Sequence, residues 1–537
     1  MNADQSNKSF IVAVTIVATL GGLLFGYDTA VISGAVGALE SYFITPLFEN
    51  QELAGSVIIQ FKILATLCFF IVTVLISSFF YKLFGAKKGT IYSVLLFVLI
   101  GLLVYFRFIA LPNELSEMMA NSINGFTISS ALIGCVIGGS MGGYISQTIG
   151  RKRGLIIAAI LFTFSAVGSA IPDTLNFIGG ETITSFIFYR VVGGIGVGLA
   201  SMLSPMYIAE IAPAKIRGNL VSWNQFAIIF GMLVVYFVNY FIAKGQSDLW
   251  IASTGWRWMF ASETIPAILF LFFLFFVPET PRYLVMSEKE TEALAVLNKL
   301  NGTNKAKTVL EEIRSSLVRK SVPWLSFGGL VIIIGLFLSI FQQFVGINVV
   351  LYYAPKIFRS MGAATDTSLL QTIIVGAVNM VFTVLAILTV DKFGRKPLQI
   401  IGALGMAISM IALGFTFYLD SQGLGALLFM LIYTASFAMS WGPVTWVLLS
   451  EIFPNAIRGA MSIAVAAQWI ANLIISWTFP ILNDSTWLTG KFNHGFAYWI
   501  YGVMAILAAV FMWKVVPETK GRTLEEMESL WVKKKVS

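Results

Sequence analysis

The strongest constraint on the fold of this chain is a series of apolar runs, each long enough to cross a lipid bilayer as a helix. Fourteen runs are predicted, at residues 9–37, 56–81, 90–111, 123–146, 154–171, 184–209, 219–243, 258–277, 324–348, 367–390, 397–418, 424–449, 460–480 and 495–516. Of the 537 residues, 57% are hydrophobic and 12% are charged, against about 25% charged in soluble domains. The sequence therefore predicts an all-α polytopic membrane protein.

Basic residues concentrate in every second connection between these runs. They lie at 151–153, 215–217, 282–320, 392–396, 458 and 533–535. Because loops rich in Lys and Arg stay on the cytoplasmic side, both termini are predicted to be cytoplasmic. The net charge of +8 is then explained by the basic loops that orient the helices in the membrane. No nucleic-acid partner is expected.

Three motifs occur twice, about 240 residues apart, which indicates two halves of matching design. EIAPAKIRG (210–218) recurs as EIFPNAIRG (451–459), GRK recurs at 150–152 and 394–396, and VPET recurs at 277–280 and 516–519. We therefore predict an N-terminal bundle (1–282), a linker (283–321), a C-terminal bundle (322–516) and a tail (517–537). The charged, amphipathic linker is predicted to form short surface helices, interrupted at Asn301 and Gly302.

The segment FQQFVGINVVLYY (341–353) places polar side chains at membrane depth. Gln342, Gln343 and Asn348 must face a wet cavity or other helices, because unpaired amides in hydrocarbon cost several kcal/mol each. On a straight helix Gln342 and Asn348 would point about 120° apart. If the helix loosens at Gly346, the amides can converge on one cavity, as in transporters. The alternative is a set of hydrogen bonds that join helices.

Matching acids and bases lie at the predicted cytoplasmic ends of helices. Arg151 with Glu210, and Arg395 with Glu451 and Arg458, can form ion-pair networks that hold the two halves together on the inside. The alternative is that these charges lie on the surface without forming a network and only orient the helices in the membrane.

The sequence contains no pattern typical of an enzyme, such as paired catalytic carboxylates, a nucleophile elbow or a P-loop. Its two cysteines, Cys68 and Cys135, lie inside apolar runs and indicate neither a disulfide nor a metal site. No cofactor is expected.

Several longer motifs are typical of one family. They are GGLLFGYDTAVISGA (21–35), YRVVGGIGVGLASMLSPMYIAEIAPAKIRG (189–218), VPETPR (277–282), QQFVGINVVLYYAP (342–355), DKFGRK (391–396), GPVTWVLLSEIFPNAIRG (442–459) and PETKGRTLEE (517–526). With them the chain resembles the sugar porter branch of the major facilitator superfamily, and most closely the bacterial D-xylose:proton symporters. The resemblance implies two six-helix bundles that transport a monosaccharide with protons across the bacterial inner membrane, as a functional monomer in the lipid bilayer.

The resemblance also implies the residues that hold the sugar. Its hydroxyls would bind side chains that can donate and accept hydrogen bonds or cover an apolar sugar face. These are Gln225, Gln342, Gln343, Asn348, Asn379, Trp446, Gln468 and Trp469, with Phe25, Tyr352, Phe437 and Gly442 lining the same cavity. The cytoplasmic gate would consist of Arg151, Glu210, Asp391, Arg395, Glu451 and Arg458.

Asp28 is an acid deep in the first apolar run, and such a residue is by default part of a proton or ion pathway. By its position in the family Arg190 is the partner of Asp28, and Glu263 is expected to assist coupling. The alternative is a static salt bridge between two helices.

Two features depart from the family pattern. Met232 stands where the xylose symporters have a second glutamine, seven positions after Gln225, so glucose transport or mixed pentose and hexose transport is an alternative. The runs 56–81 and 90–111 are extra and are joined by YKLFGAKKG (81–89). They predict a peripheral transmembrane hairpin (about 50–115) with its turn in the cytoplasm. The alternative to a transporter is a sugar sensor, a protein of the same fold that binds sugar but does not transport it.

Overall fold

The computed structural model describes residues 8–110, 112–213, 216–317, 322–421, 423–521, 526–527 and 531. The side chains of Arg107, Ser316, Asp391, Asn455, Ala456 and Arg458 lie outside the described set. Within these ranges all regular secondary structure is helical, and no strand occurs.

The first part of the chain forms long helices, which we number in chain order. They are α1 (Lys8–Leu39), α2 (Gln51–Val104), α3 (Glu117–Thr148), α4 (Arg151–Ala170), α5 (Thr182–Ile211), α6 (Arg217–Ala243) and α7 (Asp248–Leu274). Shorter turns extend them at Glu40–Ile44, Thr45–Glu49 and Tyr105–Ile109. Asn50 and Ser116 cap α2 and α3, each accepting a hydrogen bond from a backbone N–H of the first turn.

The linker and the second half follow in the same numbering. The linker helices are α8 (Pro281–Met286), α9 (Glu290–Asn301) and α10 (Thr303–Leu317). The later helices are α11 (Gly329–Phe344), α12 (Ile347–Ser360), α13 (Thr365–Phe393), α14 (Arg395–Tyr418), α15 (Leu424–Met439), α16 (Pro443–Ile452), α17 (Met461–Asp484) and α18 (Phe496–Lys514). Short turns lie at Asn455–Ala460 and Thr486–Phe492.

Thirteen helices in the described part of the chain are long and apolar enough to cross a membrane. The sequence predicts fourteen, and the difference lies in α2, which is 54 residues long. Gly85 within α2 has φ 74° and ψ 175°, a conformation that ends a regular helix and favours glycine. The chain folds back at Gly85, since the rings of Phe80 and Tyr92 lie 5.9 Å apart and those of Phe70 and Phe97 lie 6.0 Å apart. Helix α2 is therefore a helical hairpin at the expected place.

The first limb of this hairpin packs on the rest of the protein, whereas the second limb is largely exposed. Gln60 accepts a hydrogen bond of 3.1 Å from the backbone N–H of Glu181, before α5. The ring of Phe61 packs edge-on against Phe126 of α3 at 5.4 Å. The same ring lies 6.2 Å from Trp477 of α17, so the hairpin contacts both halves. In the second limb the exposed residues include Leu95, Val98, Leu99, Leu102 and Leu103.

The linker forms the predicted short helices. Gly302, with φ 77°, separates α9 from α10 at the predicted interruption. The linker helices bury a small apolar cluster of their own, made of Leu284, Val285, Ala293, Leu297, Ala306 and Leu310. We call the end of the bundle where these helices lie the linker side, and the opposite end the far side.

The two halves contact each other on the far side. The indole Nε1 of Trp477 in α17 donates hydrogen bonds to the backbone oxygen and the hydroxyl of Ser122 in α3, at 3.0 and 3.1 Å. Near the same end, Glu117 of α3 accepts hydrogen bonds from the backbone N–H and the hydroxyl of Thr486. These contacts join elements from different halves and hold the far side together.

Candidate functional site

The helix that carries the amides is broken where the sequence predicts it to loosen. Gly346 adopts φ 93° and ψ 17°, a left-handed conformation, between α11 and α12. A Cβ atom at this position would lie 2.8 Å from the ring of Tyr501, so both space and backbone favour glycine. Across the break, Nδ2 of Asn348 donates a hydrogen bond to Oε1 of Gln343. The break thus lets these two amides converge.

The side chain of Gln342 is buried and points toward the break between α15 and α16. Its Nε2 donates to the backbone oxygens of Trp441 and Gly442, at 2.8 and 3.3 Å, between α15 and α16. Its Oε1 atom has no hydrogen-bond partner. Because a buried unpaired oxygen is costly, this atom is a ready acceptor for a ligand hydroxyl. Trp441 was not among the predicted site residues; its indole Nε1 donates a hydrogen bond of 2.9 Å to the backbone oxygen of Gln399.

An aromatic pair joins the two halves near these amides. The ring of Phe25 in α1 lies 5.6 Å from that of Trp469 in α17. The neighbouring Gln468 has an Oε1 atom that is buried without a partner. Nδ2 of Asn472, one turn further along α17, donates to the Tyr352 hydroxyl at 3.5 Å. Asn472 was missed, although its spacing of four residues from Gln468 places it on the same helix face.

The remaining predicted sugar residues lie on several other helices. Asn379 is buried on α13, while Gln225 on α6 and Trp446 on α16 are half-buried. A Cβ atom built on Gly442 would lie 3.3 Å from the ring of Phe437, so these two residues are neighbours. That Asn379, Gln225 and Trp446 share one cavity with the amides stays a prediction.

A second group of polar residues forms a buried charge cluster within the first half. Nη1 of Arg190 in α5 donates to Oδ1 of Asp28 in α1 at 2.6 Å, and Nη2 donates to the backbone oxygen of Asp28 at 3.2 Å. Glu263 lies beside Asp28 at a break in α7 and is also fully buried. Neither of its carboxyl oxygens accepts a hydrogen bond from a protein N–H or O–H group.

The charges of this cluster do not balance when both acids are ionised. Asp28 and Glu263 then carry two negative charges against the single positive charge of Arg190. One bound proton neutralises the surplus and lets the two carboxyl groups share a hydrogen bond. Because an unpaired charge in a dry site is costly, the arrangement is suited to taking up and releasing one proton.

Both predicted ion pairs form on the linker side. Nη2 of Arg151 lies 2.8 Å from Oε1 of Glu210, and Nη2 of Arg395 lies 2.8 Å from Oε1 of Glu451. The first pair joins α4 to α5 and the second joins α14 to α16, so each pair lies within one half. This corrects the expectation that these two pairs bridge the halves: in this structure they brace each half internally. The side chains of the other predicted gate residues, Asp391 and Arg458, lie outside the described set.

Two further acids take part on this side and were missed. Glu279 accepts hydrogen bonds from the backbone N–H groups of Arg151 and Lys152, each at 3.1 Å, at the start of α4. Glu518 does the same for Arg395 and Lys396, at 3.2 and 3.0 Å, at the start of α14. A carboxylate at a helix N-terminus accepts hydrogen bonds from the free N–H groups there. Its negative charge also interacts favourably with the helix dipole, and both effects stabilise the helix.

The repeated VPET and GRK motifs are the signal that could have revealed these caps. Gly150 and Gly394 have φ 105° and 91°, and a Cβ atom on Gly150 would clash with Oε2 of Glu279. Burial raises the pKa of the Glu279 carboxyl, while the N–H groups that it accepts from act in the opposite direction.

Comparisons with known proteins show the family of this chain. A family model described as "Sugar (and other) transporter" matches residues 14–531. The chain is 53% identical over 542 residues to the D-xylose-proton symporter of Escherichia coli (strain K12), covering 98% of this chain and 97% of that protein.

Solved structures of a xylose transporter from E. coli superpose over nearly the whole chain. An inward open conformation matches with a TM-score of 0.76 at 52% identity, covering 97% of this chain and 100% of that one. The major facilitator superfamily proton:xylose symporter XylE bound to 6-bromo-6-deoxy-D-glucose matches with a TM-score of 0.73 at 53% identity, covering 98% and 100%.

The two-part helical bundle, with amides and a buried charge cluster in its interior, is that of a membrane transporter of the major facilitator fold. The chain belongs to the sugar transporter family.

Proposed function

We propose that this protein carries a monosaccharide, D-xylose first of all, together with protons across the bacterial inner membrane by alternating access. The observation that carries the proposal is the buried cluster of Asp28, Arg190 and Glu263, which lies close to the amide site. Phe25 lies three residues before Asp28 on α1, and its ring is 5.6 Å from that of Trp469, which follows Gln468 of the amide site. A proton-binding site and a hydroxyl-binding site are therefore neighbours.

The architecture supports a division into two moving bundles. In this proposal residues 1–282 form the N-terminal bundle, including the hairpin, and residues 322–516 form the C-terminal bundle. Residues 283–321 link them, and residues 517–537 form the tail. The linker side, with its basic motifs, faces the cytoplasm, which places both termini there. The turn at Gly85 gives fourteen spans in all, and one chain in the bilayer suffices for transport.

The sugar is held by neutral side chains. Unpaired oxygens of Gln342 and Gln468 accept hydrogen bonds from hydroxyl groups, and the amides of Gln343 and Asn348 donate and accept. The Trp469 ring covers an apolar face of the sugar ring. No charged group is needed for a neutral substrate.

Proton movement changes the attraction between three helices. When the proton leaves, Arg190 on α5 is the counter-ion of two carboxylates, from α1 and α7, and draws them together. When the proton binds, one of these attractions weakens. Because α1 also contributes Phe25 to the sugar site, this change alters the contact between Phe25 and Trp469. Sugar binding and protonation are thereby coupled.

Glucose, or mixed pentose and hexose transport, is the second candidate. Met232 is buried on α6, two turns after Gln225, and offers no hydrogen bond where the xylose symporters have a glutamine. The similar solved structure holds a bromo-deoxy derivative of D-glucose, which supports a site that admits a hexose.

The test is uptake of labelled D-xylose and D-glucose into proteoliposomes, with and without an inward proton gradient. We expect the gradient to drive accumulation by the native protein, and Asp28→Asn to leave exchange without accumulation. The matched control is Asp173→Asn, which alters an acid in the loop after α4. Flux that ignores the gradient and survives Asp28→Asn contradicts symport, and sugar binding without flux indicates a sensor.

A further inference from the structure

One lysine holds the two halves together on the far side. Nζ of Lys356 in α12 lies 2.7 Å from Oε2 of Glu40, which follows α1 in the first half. The same atom lies 2.7 Å from Oδ2 of Asp484, at the end of α17 in the second half. Only 18% of the lysine side chain is exposed. Lys356 thus has one partner in its own half and one in the other half.

The ion pair lines a cavity of about 410 Å³ between α1, α12 and α13. Glu40 and Lys356 line this cavity together with Ser33 and Ser368, whose side chains are buried. Ser33 lies five residues after Asp28 on α1, about 8 Å along the helix axis. The cavity therefore lies between the far side and the level of the charge cluster along α1.

The other ion pair between the halves around this cavity is weaker, although the Thr365 hydroxyl also donates a hydrogen bond of 2.8 Å to Oδ1 of Asp248. Nη2 of Arg359 lies 4.0 Å from Oδ2 of Asp248, and 69% of the aspartate side chain is exposed. An exposed pair at this distance contributes little. Lys356 is therefore the main ionic link around the cavity in the part of the chain that the structure describes.

We propose that Lys356 is the gate residue of the far side, whose ion pair with Glu40 must break for sugar and protons to enter. This proposal rests on the alternating-access transport proposed above. Opening separates Lys356 from Glu40 but not from Asp484, since Lys356 and Asp484 belong to the same half.

The second carboxylate explains how this half-buried pair can open. Removing the only partner of a buried ammonium group is strongly unfavourable. Asp484 stays with Lys356 when Glu40 departs, so the lysine never loses all its partners. The roles of the two acids therefore differ. Glu40 stabilises the closed state, whereas Asp484 stabilises the open state by remaining paired with Lys356.

The test uses a cysteine placed inside the cavity. In a background with Cys68→Ala and Cys135→Ala, Ser368→Cys is alkylated by a membrane-impermeant maleimide applied to the outside of right-side-out vesicles. Ser368 is fully buried in this structure, so the alkylation rate reports how often the far side opens. We expect Lys356→Met and Glu40→Gln each to raise the rate about fivefold or more.

Asp484→Asn is expected to have the opposite effect and lower the rate, because Lys356 is then left to Glu40 alone. Lys356→Arg, which keeps the charge, is expected to stay near the native rate. Asp173→Asn is the matched control: it removes an ion pair with Arg257 that lies within the first half, and we expect no change.

An unchanged rate in both Lys356→Met and Glu40→Gln overturns the gate, as does an equal rise in Asp173→Asn. A rise in Asp484→Asn equal to that in Glu40→Gln overturns the assignment of separate roles to the two acids. Uptake by the native protein is measured in parallel. Absent uptake contradicts transport, whereas the alkylation rates decide the gate independently.

Discussion

The guanidinium group of Arg190 pairs with the Asp28 carboxylate over 2.6 Å, and both side chains are almost completely sealed from solvent. Nη2 also holds the backbone oxygen of Asp28 at 3.2 Å, so the arginine fixes both the side chain and the backbone of α1. The second carboxylate oxygen of Asp28 and Nε of Arg190 have no partner. The pair is therefore held in one geometry by two hydrogen bonds. Its two unpaired atoms can form further hydrogen bonds when the helices move.

Arg190→Gln is expected to destabilise the protein more than Asp28→Asn does. The first change leaves two buried carboxylates without a counter-ion, at a cost of about 3–5 kcal/mol in the free energy of unfolding. The second leaves Arg190 beside Glu263, which replaces Asp28 as its partner.

Thermal unfolding in detergent measures both variants and the double variant. We expect the double variant to be more stable than Arg190→Gln alone, because it lacks one of the stranded charges. Additive losses would show that the two side chains do not act as a pair.

Glu263→Gln is expected to weaken the dependence of sugar uptake on pH. The substitution keeps the shape of the side chain and balances the charge of Asp28 and Arg190 without a proton. Uptake measured between pH 5 and 8, at a fixed sugar gradient, should then vary less than in the native protein. Glu210→Gln is the control, since it alters an acid on the linker side that pairs with Arg151. A native pH profile in Glu263→Gln would exclude Glu263 from proton binding.

Gly346→Ala is expected to lower both stability and sugar affinity. An alanine at φ 93° is strained by about 1–3 kcal/mol, and its Cβ atom meets the ring of Tyr501 at 2.8 Å. The relaxation that follows shifts Asn348 relative to Gln343. Gly101→Ala is the control, because nothing lies within 4 Å of its Cβ position in the exposed limb of the hairpin. Equal melting temperatures and equal sugar affinities for the two variants would contradict this role of the break.

The hairpin is expected to be dispensable for insertion of the other helices. Two spans return the chain to the same side, so replacing residues 51–110 with a short Gly/Ser linker keeps every later helix in its orientation. A reporter at the C-terminus should remain cytoplasmic. Some stability should be lost, since the rings of Phe61 and Phe69 no longer pack against Trp477. An inverted reporter would contradict the assignment of two membrane spans to α2.

Local features of this fold could be predicted from the sequence because they depend on neighbouring residues. Apolar runs predict helices, and Gly346 among amides predicts a broken helix. Pairings between distant segments could not be predicted in this way. Lys356 lies 316 residues from Glu40, and nothing in either segment identifies the other.

The repeats show the same limit. They indicate that Arg151 and Arg395 have equivalent positions, but not whether each contacts its own half or the other one. The Asp28 and Arg190 pair came from the resemblance to a family, which carries information on distant contacts that a single sequence lacks.

Met232→Gln is expected to shift the preference of the site toward D-xylose. Met232 is buried on α6 two turns after Gln225, so a glutamine there presents its amide to the same face of the helix. The new amide needs a hydroxyl partner, whereas the methionine leaves apolar room for the larger hexose.

The preference is measured as the ratio of kcat/KM for xylose to that for glucose in proteoliposomes. An added hydrogen bond in a buried site corresponds to about a tenfold change in this ratio. Met232→Leu, which stays apolar, should keep the native ratio. A ratio that moves equally in both variants would mean that the volume at this position, and not its hydrogen bonding, selects the sugar.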